Sequence, residues 1–155
     1  MGIEIERKFL VKGQAWRSLG TGTLLQQGYL SRQGQATVRV RIAGECAFLT
    51  VKSKVQNLTR QEFEYPIPLV DAQAMLPLCY PSIIEKTRYK ILLKEMLWEV
   101  DEFAGTNQGL VLAEVELTSA DQVITLPDWI DKEVSADPRY FNSYLAAHPY
   151  STWSS

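Results

Sequence analysis

Hydrophobic and polar residues alternate along most of this chain. In residues 1–11, Ile3, Ile5 and Phe9 fall on one parity and Glu4, Glu6 and Lys8 on the other. Side chains of a β-strand point to opposite faces with period two, so this run predicts a strand with an apolar and a charged face. The same alternation predicts strands over 24–31, 36–42, 46–55, 60–67, 82–93, 96–103 and 110–117. Turn residues separate them: Gln33 to Gln35, Ala43-Gly44-Glu45, Gln56-Asn57 and Gly105-Thr106-Asn107. Gly28 marks a candidate bulge within 24–31, and Pro66 and Pro68 end the fifth strand because proline cannot donate to a ladder. A helical turn is predicted around Trp16. Beyond the fifth strand the period changes. A short helix is predicted over 71–76 with Asp71 as N-cap, another after a Thr118 or Ser119 cap, and two more over 127–134 and 138–147, the last started by Asp137-Pro138. Residues 149–155 read as a loose tail and 1–148 as one domain.

Eight strands at this spacing predict an antiparallel sheet or barrel with helices added late. The charges on the polar faces are sorted by sign. Arg39 and Arg41 share a face, as do Glu62 and Glu64, Lys86 with Arg88 and Lys90, Glu99 with Asp101, and Glu114 with Glu116; Lys52 lies opposite in parity to Leu49 and Val51. One arrangement packs the apolar faces inward and leaves the charges in water. It predicts that Glu4, Glu6 and Arg39 are fully exposed. The other puts the charges inside a barrel, which is very costly without a multiply charged ligand. Sorting by sign, and arginine in place of lysine at three of these positions, favours the second, because the planar guanidinium fork suits phosphate oxygens.

The chain has 155 residues, with 16 Lys and Arg against 18 Asp and Glu, a net charge of −2. This near balance argues against a nucleic-acid binder. No apolar run reaches the length of a membrane span, and the acidic N-terminus is not a signal peptide, so a cytoplasmic location is expected. Cys46 and Cys79 show no zinc spacing and are expected as free, buried thiols. With His148 the sole histidine, a Ser-His-Asp or multi-His site is excluded, and any metal must be held by oxygen: magnesium, manganese or calcium. Trp16, Trp98 and Trp129 are expected in packing roles, and Trp153 in disorder.

The Glu4-x-Glu6-x-Lys8 run resembles the ExExK signature of the CYTH superfamily, the triphosphate tunnel metalloenzymes. Gln27-Gly28-Tyr29-Leu30, Arg39-x-Arg41, Lys52, Glu62-x-Glu64, Lys86-x-Arg88 and Glu114-x-Glu116 follow in that family's order, and the resemblance extends through Lys132-Glu133-Val134-Ser135 and Asp137-x-Arg139-Tyr140-x-Asn142-Ser143. It implies an α+β, mainly antiparallel β fold: an eight-stranded closed β-barrel (tunnel) with a charged interior and helices packed on the outside. It also implies metal-dependent hydrolysis of inorganic tripolyphosphate to pyrophosphate and phosphate, with Mg²⁺ or Mn²⁺. Glu4, Glu6, Glu114 and Glu116 resemble the metal carboxylates. Lys8, Arg39, Arg41, Lys52, Lys86 and Arg88 resemble the phosphate cradle. Tyr29, Glu62, Glu64 and Asp101 are candidates for handling the attacking water; Glu62, Glu64 and Asp101 could equally hold cations in place. Lys90 and Lys132 are left outside the site. The expected partner is a triphosphate-bearing small molecule, without nucleic acid or membrane, and the oligomeric state stays open between monomer and homodimer. A nucleoside triphosphatase, an adenylate cyclase and a non-catalytic polyphosphate- or nucleotide-binding module are the alternatives.

Overall fold

The computed structural model describes residues 2–153. All eight expected strands form: β1 (Gly2–Val11), β2 (Gly22–Ser31), β3 (Ala36–Ala43), β4 (Cys46–Ser53), β5 (Thr59–Ile67), β6 (Ile84–Leu93), β7 (Met96–Phe103) and β8 (Val111–Glu116). Met1, expected in the first strand, lies outside the described residues. Every pairing is antiparallel, and the order β5-β4-β3-β2-β6-β7-β8-β1 closes on itself because β1 also pairs with β5. The expected barrel is therefore present, and its charged faces line the interior.

The closing seam is short. Only Gly2 to Ile5 of β1 pair with β5, opposite Glu62 to Thr59. The rest of that edge would leave backbone N–H and C=O groups without partners. A ninth strand, β9 (Ile130–Glu133), fills it, with Phe9 opposite Glu133 and Val11 opposite Ile130. The helix expected over 127–134 is therefore wrong. The vacant edge of β1 decides that segment's conformation, and local composition does not report a vacancy elsewhere in the chain.

Other helices also differ from expectation. Thr118 and Ser119 start no helix; the Thr118 amide donates to Gln122 Oε1 in an irregular segment. The early helix is α1 (Leu69–Met75), and Asp71 lies in its first turn, with Pro68 at the N-cap. Instead of one helix over 138–147 there is a 3₁₀ turn at Pro138–Tyr140, an extended Phe141, and then α2 (Asn142–Ala147). The tail is not loose as far as it is described: Tyr150–Thr152 form a 3₁₀ turn, and the Trp153 ring meets those of Tyr140 and Tyr150 edge-on at 5.2 and 5.1 Å. The expected disorder of Trp153 is wrong for the same reason, while 154–155 lie outside the described residues. The thiols are not buried: Cys46 is exposed in the β3–β4 hairpin and Cys79 is half-buried.

Apolar packing lies against the outer wall and at one end of the barrel. Outside β1, β7 and β8, Trp98 packs between Phe9 and Trp129, with Trp16 close by on Tyr89. Irregular segments, more than helices, cover this wall. Outside β3 and β4, Val40, Ile42 and Ala47 pack under Ala72 of α1. At one end the interior faces themselves turn apolar: Leu10, Ile84, Phe103 and Leu112 meet Val134 and Leu145. The helix α2 thus stops one end of the barrel, and the charged interior has an apolar floor.

Gly28 is not the bulge; the register slips between Tyr29 and Ser31. Glycine serves a close approach there, since a Cβ would stand 2.6 Å from Cys79 Cβ and 2.7 Å from Ile83 Cδ1. Forcing extra atoms into such a site costs about 1–3 kcal/mol. The variant Gly28→Val should lower unfolding stability by about that amount in urea denaturation; an unchanged midpoint would contradict the packing described.

Candidate active site

The register of the strands sets the charges against one another across the interior. Lys8 of β1 faces Glu114 of β8, Lys52 faces Glu62, and Arg88 faces Asp101. Glu4 faces Arg60 across the closing seam. Together these faces surround a cavity of about 590 Å³. Glu4 and Arg39 are each only 7% exposed and Lys86 is wholly buried, so the arrangement with solvated charges is excluded.

Thirteen of the fourteen expected site residues line this cavity: Glu4, Glu6, Lys8, Tyr29, Arg39, Arg41, Lys52, Glu62, Glu64, Lys86, Arg88, Glu114 and Glu116. The fourteenth, Asp101, lies behind them. Its carboxylate accepts both arms of Arg88 at 2.8 and 2.9 Å and stands 2.7 Å from Lys86 Nζ. It is 2% exposed and holds these two cations from behind. Glu64 accepts from Thr50 Oγ1 at 3.0 Å, and the same hydroxyl oxygen accepts from Arg39 Nη2 at 3.2 Å, so it steadies Arg39 through Thr50. Lys90, set aside above, does line the cavity but is exposed at its rim, whereas Lys132 is exposed on β9.

The expected carboxylate quartet divides. Glu4, Glu62 and Glu116 bring one oxygen each within 4.8 Å of one another, a set that could hold a metal ion. Glu114 instead pairs with Lys8 at 3.2 Å and Arg88 at 3.3 Å. Glu6 lies between the two groups. Arg60 completes this corner, donating through Nε to Glu4 at 2.9 Å while Lys52 Nζ reaches the same carboxylate at 3.1 Å. Sequence reasoning passed over Arg60 although it stands two residues before Glu62 and carries the same parity. Phe141 and Asn142 were also missed as lining residues, although Asn142 stands in the C-terminal run that resembles the family.

Electrostatically the cavity has two ends. At one, burial together with Glu114 and Glu4 pushes the Glu6 carboxyl up to about 8, and burial with Glu4, Glu62 and Glu99 raises that of Glu116. Nearby cations, Lys8 and Lys52 for Glu6, do not offset burial and like charge here. At the other, burial and the neighbouring Arg39 and Arg88 push the Arg41 guanidinium down to about 9. Burial also draws the Lys86 ammonium down against the pull of Asp101, with Arg88 and Arg41 adding to the lowering. Arg41 has no carboxylate partner among the described residues, and Lys86 shares its one, Asp101, with Arg88. Between the ends the pairs are satisfied: burial works against ionisation of Glu4 and Glu114, but Lys52 with Arg60, and Lys8 with Arg88, outweigh it and hold both carboxyls low. One buried donor, Arg39 Nε, has no partner among the described residues. A buried N–H left unpaired costs about 1–3 kcal/mol, and an anionic oxygen in the cavity would remove that cost.

The donor set fits a hard divalent cation. Such an ion takes oxygen ligands and retains water, so three carboxylates with the remainder supplied by water and phosphate suffice. The oxygens of Glu4, Glu62 and Glu116 supply that chemistry, and the raised Glu6 and Glu116 carboxyls would be relieved by the added charge.

The comparisons with known proteins agree with this geometry. The CYTH domain model matches residues 2–142. The inorganic triphosphatase of Acetivibrio thermocellus is 48% identical over 151 residues, covering 97% of both chains. That of Nitrosomonas europaea is 39% identical over 151 residues, covering 92% of this chain and 96% of its own. A crystal structure of an inorganic triphosphatase superimposes with a TM-score of 0.65 at 37% identity, covering 92% of this chain and 93% of its own. With the model spanning nearly the whole chain, and the tunnel and its sorted charges in place, the protein belongs to the CYTH family.

Proposed function

We infer that this protein hydrolyses inorganic tripolyphosphate to pyrophosphate and orthophosphate inside the tunnel, with Mg²⁺ or Mn²⁺. The observation that carries this reading is the split cavity, in which one wall presses its own carboxylates together and the opposite wall its own cations. A polyanion with a divalent cation neutralises both at once. The relatives named above support the substrate class.

In this reading Glu4, Glu62 and Glu116, with Glu6 beside them, hold the metal, and Glu114 holds Lys8 and Arg88. A bound Mg²⁺ or Mn²⁺ would polarise phosphoryl oxygens and offset the charge that develops on the leaving group. Lys8, Arg39, Arg41, Lys52, Lys86 and Arg88, joined by Arg60, bind and straighten the phosphate chain. Arg39 donates its unpaired Nε–H to a non-bridging oxygen. Water attacks the terminal phosphorus in line, an O–P bond forms, the bridging P–O bond breaks, pyrophosphate departs with the bonding electron pair, and the proton released by the water passes to solvent or to a product phosphate oxygen. Because little covalent chemistry falls to the protein, its contribution is placement and preset charge. Of the groups first considered for orienting the water, Tyr29 keeps the role, since Glu62 pairs with Lys52 and is assigned to the metal, while Glu64 and Asp101 are engaged with Arg39 and Arg88.

The direct test measures phosphate release from tripolyphosphate and from ATP, with Mg²⁺ or Mn²⁺ and with chelator. Release from tripolyphosphate far above that from ATP, and lost on chelation, is expected. Cyclic AMP from ATP would replace this reading with a cyclase, and metal-independent binding without turnover would replace it with a binding module. Glu4→Ala and Glu116→Ala should each abolish metal-dependent turnover while circular dichroism stays unchanged; near-normal rates in both would sink the metal assignment. Arg39→Ala should lower kcat/KM for tripolyphosphate by the equivalent of about 2–3 kcal/mol, the range for a buried hydrogen bond to a charged group. A change of under threefold would remove Arg39 from the cradle.

A further inference from the structure

The first residue of α2, Asn142, sends its side chain to the floor of the cavity. Its Oδ1 accepts two hydrogen bonds, from Lys86 Nζ at 3.0 Å and from Gln27 Nε2 at 3.1 Å. Gln27 is wholly buried, and its own Oε1 accepts from Arg41 Nε at 2.8 Å. Lys86 is held on its other side by Asp101, which is forked by Arg88. A continuous line thus runs from Arg41 through Gln27, Asn142, Lys86 and Asp101 to Arg88. It links β3, β2, α2, β6 and β7.

The chemistry of the ends sets the direction of every bond in this line. Guanidinium and ammonium groups only donate. Arg41 therefore requires the oxygen of Gln27, which turns the Gln27 amide nitrogen toward its next neighbour. That neighbour must accept, and Lys86 makes the same demand of it. The oxygen of Asn142 answers both, so neither amide can flip without facing donor to donor. An ammonium has three N–H bonds. With one given to Asp101 and one to Asn142, Lys86 has one left for the cavity it lines.

We propose that Asn142 is a positioning residue for triphosphate hydrolysis: its carboxamide oxygen fixes the direction of Lys86 and, through Gln27, of Arg41, so that their remaining N–H groups face the phosphate chain. This rests on the functional reading above. A neutral amide suits the position because it accepts from both donors and leaves their positive charge available to the substrate. Neither Asn142 nor Gln27 needs to touch the reacting atoms.

The test combines tripolyphosphate kinetics with calorimetric binding of tripolyphosphate, for wild type, Asn142→Ala, Asn142→Asp, Gln27→Ala and the Gln27→Ala/Asn142→Ala double variant. Asn142→Ala should still unfold in one cooperative transition, at a lower midpoint because Gln27 and Lys86 lose an acceptor, and lose about 100-fold in kcat/KM, the scale on which misplaced groups cost rate. Asn142→Asp should retain kcat, since a carboxylate accepts from both donors, and raise KM, since it adds negative charge beside the polyanion. A purely structural side chain would show no such split. The double variant should be no worse than the poorer single variant, because both break one line. Wild-type kinetics and affinity in Asn142→Ala, or losses that multiply in the double variant, would overturn the proposal. Should Asn142→Ala not fold, Gln27→Ala interrogates the same line from its other end, and wild-type behaviour there overturns it equally. Absence of turnover in the wild type would defeat the functional reading instead; the binding comparison still decides this one, since equal affinities in wild type and Asn142→Ala would overturn it.

Discussion

Charge inside a barrel is the constraint on which this structure depends. Buried ions destabilise a fold unless each is paired and hydrogen-bonded. Here cross-strand register supplies most of the pairing: Lys8 with Glu114, Lys52 with Glu62, Arg88 with Asp101. Antiparallel neighbours hold their side chains close enough for such pairs to form without long side chains having to search. The pairing is incomplete in a particular way. The residue of negative charge collects around Glu6 and Glu116, and the residue of positive charge around Arg41 and Lys86. A stable apoprotein would be better served by mixing the signs evenly. The uneven distribution costs stability and preorganises the cavity for a metal–polyanion pair.

Much of this was legible in the sequence because a strand has period two. Glu4-x-Glu6-x-Lys8 and Arg39-x-Arg41 announce a charged face without any knowledge of partners, and antiparallel strands joined by short turns leave few topologies. Arg60 carried the same signal, two residues ahead of Glu62. What parity cannot convey is which opposite charge a side chain meets. Asp101 and Glu64 have the pattern of site carboxylates, yet their neighbours across the sheet, Arg88 and Thr50, engage them. The division of the carboxylates into Glu4, Glu62 and Glu116 against Glu114 depends likewise on register and closure.

The C-terminal third resisted sequence reading for a different reason. Short segments there adopt whatever conformation the finished barrel requires. Residues 130–133 extend because one edge of β1 lacks a partner, and Phe141 interrupts a helical stretch as the chain turns over the end of the barrel. Asn142 reaches the site only through that turn. Its spacing from Gln27 and Lys86 in sequence is too great for any local pattern to expose.

The four-residue seam between β1 and β5 has a consequence for how the molecule moves. Barrel closure is cooperative only to the extent that its last ladder holds, and this ladder runs only from Gly2 to Ile5. Glu4 stands on one side of it and Arg60 and Glu62 on the other. A cation shared by Glu4 and Glu62 would therefore span the join and bind the shut ring in preference to a parted one. Ligation and ring integrity are then linked equilibria, so occupancy of the site stabilises the circular form by mass action. A ligand at this site would do its stitching where the wall is thinnest.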